Sequence, residues 1–306
     1  MKVLVTGAWQ CTPTEIDYIE KLGHSVVYMQ YEKDKLPCDA SEIEGVICNG
    51  LFLHHDIDQF EKLKYIQLTS AGFDRVPVSL IERRKIKLYN ARGVYSVPMA
   101  EFAISGVLSL YKQNRFFYDR QREHSWEKHR GLIELYGKTV CVIGCGSVGN
   151  ECAKRFSAFG CQIFGVDLYP REDILYKKIY GLDELKKCLS KTDVAVLTLP
   201  LTDQTYHLFD KDVLSSMKKG SVLVNIARGA VVDSDALREA LQNQLGGAVL
   251  DVFENEPIDQ ESFFWDLDNV IITPHNSFVG DGNSSRLCDL IIKNLEEYNE
   301  NYCCCT

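Results

Sequence analysis

The sequence lacks the features of several protein classes. No stretch approaches the roughly 20 consecutive apolar residues that a membrane-spanning helix needs. The first seven residues turn polar after Val-Leu-Val, so no signal or transit peptide is visible. Basic residues are outnumbered, with 34 Lys and Arg against 43 Asp and Glu and a formal net charge of −9. That balance disfavours a nucleic-acid-binding protein that works by neutralising phosphates. We therefore expect a cytoplasmic protein without membrane or nucleic-acid partners.

Metal-binding spacing is missing as well, although the chain has 12 cysteines. It contains no CxxC pair and no two histidines at a helical metal-binding spacing, so we predict no metal site. Most cysteines lie inside apolar runs, where a free thiol behaves as a small hydrophobic group. We expect reduced, mostly buried thiols, as in a cytosolic protein. Cys303 to Cys305, at the end of the sequence, are expected to be exposed.

What is present is typical of an α/β protein. A length of 306 residues and an apolar fraction of 45% indicate an ordinary globular chain of two domains. Thr12-Pro13-Thr14-Glu15 predicts a helix start with a capping box. Short apolar runs, spaced as in βαβ units, predict strands at residues 2–5, 26–29, 45–48, 65–68 and 86–89. The first ninety residues therefore predict a small α/β domain.

The remainder of the chain begins with a predicted long helix from Pro98 to about Arg122, opened by Pro98 and by Glu101 in its first turn. Its first half is apolar nearly all round, which requires burial on several sides, as between two domains or two subunits. A doubly wound parallel sheet is predicted next. Its strands are residues 140–143, 162–166, 194–199, 222–226, 247–252 and 270–273, with helices at about 147–159, 182–190, 210–217 and 234–243. A last helix, at about 284–299, is expected to pack on the first domain.

A glycine-rich turn directly follows the first strand of this sheet. Gly144, Gly146 and Gly149 form a GxGxxG pattern that includes Ser147 and Val148 and leads into a helix. The first glycine permits a tight turn, the second lets the backbone approach a pyrophosphate, and the third allows close helix–strand packing. The helix N-terminus offers unpaired N–H groups and a dipole that favours anions. Glycines at a strand–helix turn can also be purely structural, so this pattern alone leaves the site open.

Asp167 strengthens the prediction of a dinucleotide site. It ends the next predicted strand, eighteen residues after Gly149, near the offset of ~20 residues expected of a carboxylate that binds a ribose. Such a carboxylate would repel a 2′-phosphate and so favours NAD over NADP. The alternative is a strand-end Asp that caps its own loop, and the nearby Arg171 leaves the choice of cofactor open.

Three further polar residues follow successive predicted strands, where open α/β sheets bind ligands. They are Arg228, Glu256 and His275. Arg can hold a substrate carboxylate and polarise an adjacent carbonyl. His can exchange a proton with the resulting alcohol, and Glu can hold the imidazole and stabilise its charged form. Each residue alone could equally be a surface or turn residue, but their joint placement favours a catalytic set.

Ordered motifs run through the whole chain. They include Gly137-Lys-Thr-Val-x-Val-Ile-Gly-x-Gly-x-Val-Gly149, Leu199-Pro-Leu-Thr202, Met217-Lys-x-Gly-Ser, Val224-Asn-Ile-Ala-Arg-Gly229, Leu250-Asp-Val-Phe-Glu-x-Glu-Pro257, Thr273-Pro-His275, Thr69-Ser-Ala-Gly-Phe-Asp74 and Gly93 to Glu101. With these motifs the sequence resembles the D-isomer-specific 2-hydroxyacid dehydrogenase family. The resemblance implies hydride transfer with NAD, interconverting a 2-oxo acid and a D-2-hydroxy acid. It also implies that Arg228 orients the substrate, His275 is the acid/base and Glu256 is its partner.

The resemblance implies further site residues. The cofactor site would be lined by Pro200, Thr205, Ala227 and Asp251. Backbone N–H groups around Ala71 and Gly72, in the loop with Ser70, would bind the substrate carboxylate as an anion nest.

The resemblance also implies two Rossmann-like domains and a homodimer that uses the long helix. A flavodoxin-like substrate domain would comprise residues 1–98 and 277–306. The dinucleotide-binding domain, residues 99–276, would be inserted into it. The other partner implied is the substrate, a small 2-oxo or 2-hydroxy acid.

Two alternatives remain open. One is D-3-phosphoglycerate dehydrogenase specifically, for which Arg75 and Arg92 could recognise a second anionic group. Because the sequence ends at Thr306, we expect no C-terminal regulatory domain of the kind found in the long forms of that enzyme. The other is a non-catalytic NAD-sensing scaffold, as in the corepressor branch of the fold. Glu256 in place of Gln separates the chain from the formate dehydrogenase branch, and Asn276-Ser-Phe278 after His275 leaves the pocket shape open.

Overall fold

In the computed structural model, residues 1–302 are described, and the chain divides into two compact units. The first comprises Met1–Tyr95 and the described residues from Gly280 on, and the second comprises Ser96–Val279. Residues 96–98 and 277–279, predicted in the first domain, thus lie in the second unit. The reason is local, because a helix of the second unit begins at Ser96 and Asp251 holds the N–H group of Ser277. Among the described residues, no helix is both long and apolar enough to cross a membrane.

The first unit is built on five parallel strands. Its elements are β1 (Lys2–Thr6), α1 (Pro13–Lys21), β2 (Ser25–Met29), β3 (Gly45–Cys48), β4 (Tyr65–Leu68), α2 (Val78–Arg83) and β5 (Lys87–Tyr89). The strand order β2-β1-β3-β4-β5 is the flavodoxin-like arrangement, as expected. Strands β3 and β4 are buried along their whole length, which is why they appear in the sequence as continuous apolar runs. The predicted capping box of α1 is confirmed, with reciprocal hydrogen bonds between Thr12 and Glu15.

The second unit is a seven-stranded parallel sheet covered by helices. Its elements are α3 (Ser96–Tyr111), α4 (Asn114–Arg122), β6 (Thr139–Ile143), α5 (Ser147–Ala158), β7 (Gln162–Val166), β8 (Ile179–Tyr180), α6 (Leu185–Leu189), β9 (Val194–Leu197), α7 (Lys211–Ser216), β10 (Val222–Asn225), α8 (Ser234–Asn243), β11 (Gly247–Leu250) and β12 (Val270–Ile272). The order β12-β11-β10-β9-β6-β7-β8 reverses between β6 and β9, which confirms the doubly wound sheet. The two-residue strand β8 was not predicted, because it is too short to show a pattern.

The prediction of one long helix from Pro98 to Arg122 is wrong. The structure has two helices, α3 and α4, separated at Gln113, whose backbone is left-handed with φ 53°. Helix α3 begins at Ser96, so Glu101 lies beyond its first turn. The apolar sequence of α3 is buried against α5 and against strands β10, β11 and β12 of its own unit. The break follows the change in composition, because α4 is polar and has no buried residue.

The last helix, α9 (Asn283–Tyr302), returns to the first unit, as the sequence predicts. Its buried face consists of Leu287, Ile291, Leu295 and Tyr298, which pack in one cluster with residues of β1, α1, β3 and β4. A buried hydrogen bond from the Asn294 amide to the Gln67 side chain, 2.7 Å long, fixes the helix on the sheet.

The nine described cysteines are all free, and six of them are buried. Burial raises the pKa of Cys145 and of Cys152 to about 12 and that of Cys161 to about 11. These thiols are therefore protonated and unreactive at neutral pH. Cys303 to Cys305 lie outside the described residues.

Candidate active site

The glycine-rich turn lies between β6 and α5, where the strand order reverses. Gly144 has a φ of 97°, and a Cβ there would lie 2.8 Å from the backbone nitrogen of Leu199. A Cβ at Gly149 would lie only 2.2 Å from the carbonyl oxygen of Gly144. A Cβ at Gly146 would meet nothing within 4 Å. Two of the glycines are thus required by packing, whereas Gly146 leaves open space at the helix N-terminus, beside Ser147 and Val148. This geometry fits the pyrophosphate of NAD.

Asp167 is tied to the same turn. Its Oδ2 accepts a hydrogen bond from the N–H group of Cys145 at 2.8 Å, and its Oδ1 accepts one from Tyr169 at 3.0 Å. Arg171 donates to the carbonyl oxygen of Cys145 at 2.5 Å. Asp167 therefore does cap its loop, which was the structural alternative to ribose binding. The half-buried carboxylate retains unused lone pairs for a further donor, so the two roles are compatible.

The loop after β9 contains two of the predicted cofactor residues. The hydroxyl of Thr205 is buried, donates to the carbonyl oxygen of Pro200 at 2.7 Å, and accepts the N–H group of Thr202 at 2.7 Å. Thr205 thus folds the loop back on itself. This contact shapes the surface at the end of β9, next to the glycine-rich turn.

His275 follows β12 and forms the central contact of the candidate site. Its Nδ1 lies 2.8 Å from Oε2 of Glu256, and both side chains remain accessible. The other oxygen of Glu256 accepts the N–H group of Phe253 at 3.0 Å, which orients the carboxylate. Because a carboxylate only accepts, Nδ1 carries a hydrogen and Nε2 is the nitrogen that can exchange a proton with a ligand.

Asp251 fixes the segment that carries His275. Its carboxylate is 1% exposed and accepts hydrogen bonds from the Thr273 hydroxyl at 2.6 Å, from Asn276 N–H at 2.7 Å and from Ser277 N–H at 2.9 Å. The described partners of this carboxylate all lie in the His275 segment. Asp251 was predicted to line the cofactor site. Any such role comes in addition to its anchoring of the His275 segment, which the motif alone did not reveal.

Arg228 follows β10 in a tight loop. The buried Asn225 holds the loop from both sides, donating to the carbonyl oxygen of Arg228 at 3.1 Å and accepting the N–H group of Ala227 at 3.1 Å. A Cβ on Gly229 would lie 1.9 Å from the carbonyl carbon of Phe253, so this loop packs directly against the segment of Glu256. The sequence did not predict that Asn225 holds this loop, although a buried amide at the end of an apolar strand is a usable signal.

Arg228, Glu256 and His275 thus follow the carboxyl ends of β10, β11 and β12, which are neighbours in the sheet. The sequence predicted this placement from the succession of strands along the chain. The structure pairs His275 with Glu256 directly, and it connects Arg228 to them through Gly229 and Phe253.

In the first unit, the predicted substrate loop has an unusual hydrogen-bonding balance. The carbonyl oxygens of residues 69–72 all accept hydrogen bonds within the unit. Their donors are, in order, the Tyr95 hydroxyl, the Ala91 N–H group, the Asn90 amide and the Ser70 hydroxyl. In residues 1–302, the N–H groups of Ser70, Ala71 and Gly72 have no acceptor. Backbone N–H groups left unpaired in one loop form an anion-binding nest.

Comparison with known proteins agrees with this geometry. The family model for the NAD-binding domain of D-isomer-specific 2-hydroxyacid dehydrogenases matches residues 104–277, more than half of the chain. A glyoxylate reductase of Korarchaeum cryptofilum is 32% identical over 251 residues, which are 78% of this chain and 75% of that protein. A D-3-phosphoglycerate dehydrogenase of Methanocaldococcus jannaschii is 33% identical over 280 residues, 90% of this chain but 53% of that protein. The solved D-lactate dehydrogenase of Aquifex aeolicus, in complex with NAD and lactic acid, has a TM-score of 0.78 at 26% identity and covers 98% of this chain and 97% of that one.

The chain belongs to the D-isomer-specific 2-hydroxyacid dehydrogenase family. It is an NAD-dependent oxidoreductase that interconverts 2-oxo acids and D-2-hydroxy acids. The family, fold class, cofactor and reaction class predicted from the sequence are confirmed.

Proposed function

We propose that Arg228, Glu256 and His275 are the catalytic residues. In this assignment the second unit binds the dinucleotide and the first unit binds the substrate carboxylate. The observation that carries the proposal is the contact of 2.8 Å between His275 and Glu256 at the carboxyl ends of neighbouring strands, beside the loop of Arg228. A paired imidazole next to a guanidinium is the arrangement needed to protonate and polarise a carbonyl.

The three catalytic residues have different tasks in the reduction of a 2-oxo acid. Bound NADH supplies the hydride to the carbonyl carbon. His275, protonated on both nitrogens, donates the proton of Nε2 to the carbonyl oxygen, so the product is a 2-hydroxy acid and His275 becomes neutral. Glu256 stabilises the protonated imidazole before the transfer. Arg228 holds the substrate carboxylate through its planar fork and stabilises the charge that develops on the oxygen.

The cofactor residues are proposed from the second unit alone. Gly144, Gly146 and Gly149, with Ser147 and Val148, hold the pyrophosphate at the N-terminus of α5. Asp167 accepts hydrogen bonds from the ribose and favours NAD over NADP, because a 2′-phosphate would be repelled. The remaining wall of the cofactor site is formed by Pro200, Thr205, Ala227 and Asp251.

The substrate carboxylate is proposed to bind the nest of Ser70, Ala71 and Gly72. Their three unpaired N–H groups offer donors to an anion at no cost in existing hydrogen bonds.

The substrate class is a small 2-oxo acid of the size of glyoxylate. The similarity to a glyoxylate reductase extends over three quarters of that protein, whereas only 53% of the D-3-phosphoglycerate dehydrogenase is covered. A phosphorylated substrate would need Arg75 or Arg92 as a second anion site.

The test is the rate of NADH oxidation with glyoxylate, hydroxypyruvate, pyruvate and a phosphorylated 2-oxo acid, for the wild type and for His275→Ala. We expect turnover of at least one small acid, and a loss on the order of 10²–10⁴ in kcat for the variant. His54→Ala, an exposed histidine of the first unit, is the matched control. Wild-type turnover by His275→Ala would remove that residue from the mechanism, and no turnover of any of these four acids would exclude them as substrates.

We also propose that the protein is a cytoplasmic homodimer. Helix α4 has no buried residue, and the following segment exposes Trp126 at 99% of its surface, with Tyr118 and Leu132 also exposed. An apolar surface of this kind usually marks a protein interface. Light scattering should give twice the mass of one chain, and Trp126→Glu should shift it towards the monomer.

A further inference from the structure

The segment Phe253–Glu256 carries a second histidine–glutamate pair. Oε2 of Glu254 accepts a hydrogen bond from Nε2 of His207 at 2.9 Å, and its Oε1 accepts the N–H group of Ser234 at 2.8 Å. Glu254 and Glu256 are separated by one residue, so each binds a different histidine from the same short segment. His207 and His275 both have a left-handed backbone, with φ of 48° and 52°. Such a conformation persists in a non-glycine residue only where its surroundings hold it.

His207 is bound to the loop that follows Arg228. Its N–H group donates to the carbonyl oxygen of Ala230 at 2.8 Å, and two residues later Phe209 donates to Val231 at 3.0 Å. The ring of Tyr206 stacks on the imidazole with the centroids 4.1 Å apart. The chain around His207 therefore lies against the continuation of the Arg228 loop, and Thr205 is two residues away.

Glu254 directly follows Phe253, whose backbone makes two contacts with the segments of the candidate catalytic residues. The carbonyl of Phe253 lies against Gly229, the neighbour of Arg228, so closely that no Cβ fits. The N–H group of Phe253 orients the carboxylate of Glu256. A movement of Glu254 would displace both contacts together.

The carboxylate of Glu254 is well suited to hold this segment. Burial raises the pKa of Glu254, but the hydrogen bonds from Ser234 and His207 outweigh burial, so its pKa lies below the ordinary value. The group is therefore ionised at neutral pH, and its hydrogen bonds are of the stronger, charge-assisted kind.

We propose that His207 and Glu254 are positioning residues for the reaction. Together they hold the segment Phe253–Glu256 against the Arg228 loop, so that Glu256 meets His275 in the correct orientation. Neither residue is assigned a contact with substrate. The inference rests on the roles proposed above for Arg228, Glu256 and His275.

The first test is Glu254→Gln, which keeps the shape of the side chain and removes its charge. We expect kcat to fall about tenfold and the KM for the oxo acid to rise several-fold, because misplaced catalytic groups lose transition-state stabilisation. The Kd of NADH, measured by fluorescence, should change by less than about twofold, because the glycine-rich turn is untouched. The matched control is Glu239→Gln on α8, whose exposed carboxylate pairs with Lys211 at 2.8 Å. It should behave as the wild type.

A double-mutant cycle separates positioning from a general loss of structure. If Glu254 acts through Glu256, then Glu254→Gln in a Glu256→Gln background should lower kcat by less than about twofold. A second full tenfold loss there would overturn the proposal, as would wild-type kcat and KM for Glu254→Gln alone. Where Glu254→Gln does not fold, His207→Leu removes the donor of the same hydrogen bond and should give the same split and the same cycle.

The outcomes also distinguish this inference from the proposed function. If Glu256→Gln alone retains wild-type turnover, both fail, because there is then no catalytic carboxylate to position. If Glu256→Gln is impaired and Glu254→Gln is not, only the positioning role fails.

Discussion

The N–H group of His275 donates to the carbonyl oxygen of Asp251 at 2.8 Å, and the Asp251 side chain holds the chain on both sides of that histidine. Asp251 directly follows the buried strand β11, so the sheet fixes the position of an accessible catalytic candidate. The backbone of His275 is left-handed, and these contacts are what hold it there. The imidazole on this loop is held in a defined position in this way without being buried itself.

Asp251→Asn should therefore reduce both stability and activity. The substitution turns one acceptor oxygen into an NH₂ group that faces N–H donors in a buried place, and an unsatisfied buried group costs about 1–3 kcal/mol. We expect a lower free energy of unfolding by that amount, measured by urea denaturation, together with a lower kcat. Asp268→Asn, at an exposed surface ion pair with Arg115, is the control and should unfold as the wild type does. Equal unfolding midpoints for Asp251→Asn and the wild type would contradict the anchoring role.

Arg228→Lys should raise KM and lower kcat together. Lysine keeps the positive charge but loses the planar fork that binds a carboxylate through two parallel hydrogen bonds. Steady-state kinetics with the best oxo acid is the measurement, and we expect a combined loss in kcat/KM on the order of tenfold or more. Arg83→Lys, at an exposed position of the first unit, should leave both constants unchanged. An unaltered KM for Arg228→Lys would show that the substrate carboxylate is bound elsewhere.

Gly146→Ala and Gly149→Ala should separate cofactor binding from folding. A Cβ at Gly146 meets nothing in the protein, so the thermal midpoint should stay close to that of the wild type. The same methyl group would occupy the space assigned to the pyrophosphate, so the Kd of NADH should rise about tenfold or more. At Gly149 a Cβ would collide with the carbonyl oxygen of Gly144 at 2.2 Å, so this variant should lose stability. Unchanged NADH binding by Gly146→Ala, measured by calorimetry, would place the phosphates elsewhere.

His24 should make the protein sensitive to acid. Burial, and then the positive α-amino group of Met1, lower the pKa of His24 from 6.5 to about 4. The Nδ1 atom lies 3.2 Å from that amino group, and the side chain is 5% exposed. The unfolded chain therefore binds a proton more readily than the folded one, so this contribution to stability is complete above pH 6.5 and is lost as the pH falls towards 4.

His24→Gln tests this by chemical denaturation at pH 7 and pH 5. Between these values the wild type should lose about 2 kcal/mol more than the variant, because glutamine does not titrate. His54→Gln, at an exposed histidine, should show the acid dependence of the wild type. Parallel losses for the wild type and His24→Gln would mean that His24 takes up its proton in the folded state.

Much of the fold could be predicted from the sequence because its signals are local. The capping box at Thr12 and Glu15 and the apolar strands appear in the structure at nearly the predicted bounds. The prediction of one continuous helix from Pro98 to Arg122 was wrong. Helical periodicity continues through Gln113 and does not reveal that this single residue has a left-handed backbone. Strand β8 was not predicted, because a strand of two residues is too short to show any periodicity.

By itself the sequence determined the parallel-sheet architecture, the glycine-rich turn, and the placement of Arg228, Glu256 and His275 after successive strands. Those features depend on residue type and on spacing along the chain. Only the tertiary structure decided which side chains meet: that Glu256 pairs with His275, that Asp251 anchors the histidine segment, and that Glu254 binds His207. The physical reason is that hydrogen bonds between residues 19 to 47 positions apart depend on how the strands are ordered and how the loops pack. No local pattern encodes that geometry.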